Sequence, residues 1–139
     1  MKEEIVRLRV LGEAHLYVGM AKADGKITME ERADINYYAR KCEGLIDLLG
    51  IGEMIRKKIT GAVKEILSDP KNSDWGAYDH LDESISLLKE AKKIGDHSVH
   101  LIVHKHEQGL SQVAASDSYL YVESSFLREV KTRFLKLKD

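Results

Sequence analysis

The chain reads as an all-α domain, and three observations predict it. A single proline, Pro70, stands in 139 residues, so almost nothing forbids long helices. Most of the ten glycines fall where helical patterns start or stop. Apolar residues recur with a period near 3.6 in most of the remaining segments.

Glu3 to about Lys22 carries Ile5, Leu8, Gly12, His15, Leu16, Gly19 and Ala23 on one stripe, an amphipathic helix whose two stripe glycines admit a neighbouring backbone. A second helix starts at Thr28, where Thr28 and Glu31 form a T-x-x-E capping box and Ile35, Tyr38, Cys42 and Leu45 mark the buried side. Gly44, Gly50 and Gly52 break the pattern before a third helix, from about Glu53 to Leu67. The run Ser68 to Asp74 is a loop, with Ser73 or Asp74 as N-cap of a fourth helix that buries Trp75, Tyr78, Leu81, Ile85 and Leu88 and ends at Gly95. Asp96 can cap a fifth helix bearing Val99, Val103, Leu110 and Val113, and a last helix runs from about Tyr121 to Leu137. The expectation is one domain over 1–139, a compact bundle of about six or seven helices.

Charge and cysteine content narrow the function classes. Lys and Arg total 22 against 23 Asp and Glu, a net charge of −1, which provides no positive field for nucleic acid. Cys42 is the only cysteine, no apolar run reaches the ~18 residues of a membrane span, and no apolar signal core follows Met1. A cytoplasmic location is expected, with membrane association only through a partner. No G-x-S-x-G, Walker A loop, G-x-G-x-x-G or C-x-x-C occurs, so common enzyme classes lose support and a non-enzymatic role is expected.

The most informative segment is Ala21-Lys22-Ala23-Asp24-Gly25-Lys26-Ile27-Thr28-Met29-Glu30-Glu31, an acidic turn between two helices. Set in an EF-hand frame with Gly25 at position 6, it places Asp24 at 5 and Glu31 at 12, but Met20 at 1 and Lys22 at 3. An ordinary EF-hand is thereby rejected, while two oxygen ligands remain. Helix capping explains Thr28 and Glu31 equally well without any metal. A second segment, Ala114 to Glu123, overlays the first with an offset of 93 residues, pairing Asp24 with Asp117, Ile27 with Leu120 and Glu30 with Glu123. Two pseudo-repeated helix-turn-helix units follow from that overlay.

These segments resemble the TerB-like superfamily, named for the tellurite-resistance protein TerB, whose members carry A-x-A-D-G-x-[IV]-x-x-x-E between helices. Asp24, Gly25, Ile27 and Glu31 match that pattern in place; in the second copy Ser118 replaces glycine and the acid falls one residue early, at Glu123. The resemblance implies a small helical domain of bacterial stress response that binds protein partners and has no established catalysis. It also implies a divalent cation at Asp24 and Glu31, with Asp117 and Glu123 as a second pair. Oxygen ligands favour calcium or magnesium over zinc. A protein partner is expected and a homo-oligomer is compatible with the sequence.

Other residues offer alternatives. His97, His100 and His104 recur at i, i+3 and i+7 with Glu107 a turn further, a helix face able to bind zinc or to support a metal-dependent hydrolase using His100, His104 and Glu107. This face lies away from the apolar stripe of Val99, Val103, Leu110 and Val113, which makes a solvated polar face the simpler reading, and with Leu101 in place of the glutamate of H-E-x-x-H a zincin hydrolase has no general base. His15 and His106 fall on apolar sides and read as core or interface histidines, and Cys42 reads as a small buried hydrophobe. Arg128, Lys131, Arg133, Lys136 and Lys138 suit either the last helix's dipole or an acidic docking partner. Trp75 and Tyr78 are either an exposed recognition patch or aromatics closing the core.

Overall fold

A computed structural model describes residues 2–22, 53–68, 74–96, 99–105 and 120–137. They form α1 (Lys2–Ala21), α2 (Glu53–Ser68), α3 (Ala77–Lys93), a 3-10 turn (Val99–Leu101) that passes into a helical turn at 102–105, and α4 (Leu120–Lys136). Among the described residues there is no strand, and no helix is long and apolar enough to cross a membrane. The expected helix from Thr28 and the segment around Asp117 lie outside the described residues.

Helix α1 corrects the amphipathic reading. Every residue from Val10 to Met20 is buried, so α1 is the axis of the domain and not a surface helix with one apolar stripe. The reason is that Val10, Leu11, Ala14, Tyr17 and Val18 fall between the predicted stripe positions and make the helix apolar around its whole circumference. Its few polar groups, Glu13 and His15, are buried with it and must find partners inside.

The two stripe glycines set the distance to α3, the helix that α1 packs against most extensively. A Cβ on Gly12 would stand 2.8 Å from Leu88 Cγ, and one on Gly19 would stand 3.1 Å from the Ala77 carbonyl oxygen. At the same contact Ser84 Oγ donates to the Gly12 carbonyl at 2.7 Å. Hydrogen exactly fills the place where a methyl group would force the helices apart, so the glycines give α1 and α3 their close approach.

Helix α3 begins two or three residues later than the sequence suggested. Gly76 is the N-cap in place of Ser73 or Asp74, and Asp79 reaches back to accept from its amide at 2.8 Å. The buried face is Ala77, His80, Leu81, Ser84, Leu88 and Ala91, rotated from the expected one. Trp75 therefore precedes the helix, and Tyr78 is half exposed, its ring edge-on to Phe126 at 5.3 Å. Propensity and hydrophobicity rank His80 and Ser84 as surface residues; their hydrogen-bonding partners on α1 override that ranking. The predicted stop at Gly95 holds: its φ of 127° suits glycine, the Gly95 amide donates to Lys92 and the Asp96 amide to Ala91, a Schellman termination.

Helix α2 buries Ile59, Val63 and Ile66 against α1, and α4 buries Phe126, Val130, Phe134 and Leu137, both at helical spacing. Arg133 on α4 bonds Asp82 on α3 and Glu129 on its own helix, tying α4 to α3.

Candidate functional site

None of the acidic side chains expected to hold a cation is among those described. Asp24, Glu31 and Asp117 lie outside the described residues, and Glu123 belongs to α4 with its side chain outside them. What the structure does define is the base from which the acidic segment departs. Lys22, 9% exposed, closes the end of α1 through its backbone bond to Val18 and places Nζ 3.0 Å from the Trp75 carbonyl oxygen. The residue two positions before Asp24 is thus fixed to the chain just ahead of α3.

Beneath that anchor lies a buried aromatic cluster. The Nδ1 atoms of His15 and His80 are 3.0 Å apart, and the Trp75 indole stacks on His15 at 6.0 Å and meets His80 at 5.3 Å. One imidazole must donate from Nδ1 and the other accept, so two neutral rings of opposite tautomer satisfy the contact. Burial, and secondarily the charge on His80, push the His15 pKa down from 6.5 to about 4. At 5% and 0% exposure the two rings are buried and join α1 to α3.

A second polar cluster pins the opposite part of α1. Arg9 places Nε 3.3 Å from Glu13 Oε1 and Nη1 3.5 Å from Asp96 Oδ2, while both carboxylates are buried. Asp96, expected as the N-cap of a fifth helix, bonds back to α1 across the end of α3. Charges this far from water persist only when paired.

Of the expected histidine face, only His100, in the 3-10 turn, and His104, in the helical turn after it, are described. Val99 and Val103 are buried, whereas His100 is part-buried and His104 exposed; His97 and Glu107 lie outside the described residues. His100 and His104 line a cleft of about 350 Å³ with Leu101, Lys131, Phe134 and Leu135. A lysine ammonium on the same cleft opposes a cation there. Among the described residues no three His, Cys, Asp or Glu groups converge on one metal position.

His15 was expected in the core and is there; His106 and Cys42 lie outside the described residues. Sequence reasoning missed His80, Glu13, Arg9 and Asp96 as members of buried clusters. The available signal was that His15 and Glu13 share a helix too apolar to face water, which requires polar partners from elsewhere in the chain.

The chain matches no known family profile, no curated protein and no solved structure.

Proposed function

We propose that this chain is a non-enzymatic, TerB-like stress-response domain that engages a protein partner and carries a divalent cation, calcium or magnesium, at Asp24 and Glu31. Asp117 and Glu123 form the second pair in this reading. The observation that supports it most is the anchoring of Lys22 to Trp75. The acidic segment follows directly on a helix that is buried from Val10 to Met20 and held at its end by Lys22, so a change of charge there acts next to a packed helix. Binding of the cation neutralises the carboxylates and fixes the angle between the helices that flank them, which alters the exposed partner surface.

Thermal unfolding of chelator-stripped protein tests this reading. A ligand of the native state raises stability by RT ln(1 + [L]/Kd), so millimolar calcium or magnesium raises Tm in the native sequence and not in Asp24→Asn. The absence of any shift would leave a metal-free helical interaction module, the second reading. A hydrolase built on His100, His104 and Glu107 has less support, since Lys131 shares the cleft of the two histidines. A zinc shift lost only in His100→Ala would move the account there.

A further inference from the structure

The outer surfaces of α3 and α4 enclose a groove of about 500 Å³, lined by residues of both helices. The two helices run in the same general direction, since Tyr78 meets Phe126, Asp82 bonds Arg133 and Lys92 bonds the Leu137 carbonyl. Ile85 and Leu137 give the groove an apolar floor, and Lys89, Arg133 and Lys136 line it against a single carboxylate, Asp82.

These cations differ in what holds them. Lys92 and Lys93 sit in the last turn of α3, where the helix dipole accounts for them, and Lys93 pairs with Glu90. Arg133 is held in place by Asp82 and Glu129. Lys89 and Lys136 are exposed, and neither forms an ion pair with a described residue. Two uncommitted ammonium groups thus flank an apolar floor beside a fixed guanidinium.

We infer that this groove docks an acidic, amphipathic segment of a partner protein. Carboxylates of such a segment meet Lys89 and Lys136 while its apolar side chains cover the part-exposed Ile85. Charge complementarity selects this occupant. Nucleic acid is disfavoured because the basic character is local to a chain of net charge −1, and a bilayer is disfavoured because the cations line a concavity and not a flat face. The inference deepens the partner-binding part of the proposed function and is independent of its cation.

Fluorescence anisotropy with a labelled peptide bearing glutamates on one helical face and leucines on the other tests it, in chelator, on the full chain. The native protein binds the peptide, Lys89→Glu/Lys136→Glu weakens binding roughly tenfold or more, and Lys57→Glu/Lys58→Glu, an equal charge change on the exposed face of α2, leaves it within about twofold. Peptides with Gln for Glu or Ser for Leu bind more weakly than the parent. Equal loss in both double variants, no binding by the native chain, or undiminished binding of the Gln peptide overturns the assignment. So does tighter binding to phosphatidylglycerol vesicles or duplex DNA through the same two lysines. Because both substitutions are at exposed sites, unchanged melting curves separate loss of binding from loss of fold. Failure of this experiment leaves the cation-dependent Tm shift of the proposed function untouched.

Discussion

The Nδ1 atoms of His15 on α1 and His80 on α3 lie 3.0 Å apart in the core, a separation that accommodates one proton and not two. Folding therefore keeps His15 neutral at a pH where the unfolded chain protonates it. The folded pKa is about 4 against 6.5 for the free side chain, so the unfolded state binds more protons throughout that window. Stability contributed by the neutral ring is fully present above about pH 6.5 and is lost as pH falls towards 4, on the order of 2 kcal/mol. Chemical denaturation at successive pH values checks this, and His15→Asn, which keeps a polar atom near the Nδ1 position, flattens the slope. Trp75, the only tryptophan, stacks on His15 and loses emission if the ring becomes cationic in the folded state.

Glycines of the same helix type respond in opposite directions. Gly12→Ala forces a methyl group to within 2.8 Å of buried Leu88 and costs about 1–3 kcal/mol. Gly61→Ala on α2 meets nothing within 4 Å and replaces a poor helix former, so it adds about 0.5–1 kcal/mol. Thermal melts of the two variants should move Tm down and up respectively, the latter by roughly 2–4 °C.

Arg9→Met removes the guanidinium that bridges Glu13 and Asp96. Each buried carboxylate loses that ion pair, and the expected destabilisation is roughly 2–4 kcal/mol, large for a residue whose own side chain is 22% exposed. Urea denaturation with an unchanged m-value would attribute the loss to the native contact.

The helices were legible in the sequence because their signals are local. The bounds of α1, α2 and α4 follow from apolar periodicity, and the end of α3 follows from Gly95. The start of α3 was not legible: Ser73 and Asp74 are strong N-caps by type, yet the helix starts at Gly76, where Asp79 supplies the capping interaction from inside. The burial of α1 on all sides was not legible from its stripe, because a 3.6-residue period marks one face and does not report that Val10, Leu11, Ala14, Tyr17 and Val18 make the others apolar. The His15–His80 and Arg9–Glu13–Asp96 clusters join residues up to 87 positions apart, and no periodicity reports a tertiary partner. Of the histidine face, His100 and His104 line one cleft, and His97 and Glu107 lie outside the described residues.

The acidic pair Asp24 and Glu31 carries the central claim, and calorimetric titration of calcium and then magnesium into chelator-stripped protein tests it most directly. The account predicts saturable binding by the native chain that is abolished in Asp24→Asn and in Glu31→Gln and retained in His100→Ala. Absence of binding by either ion, or binding that survives both acidic substitutions, would contradict it.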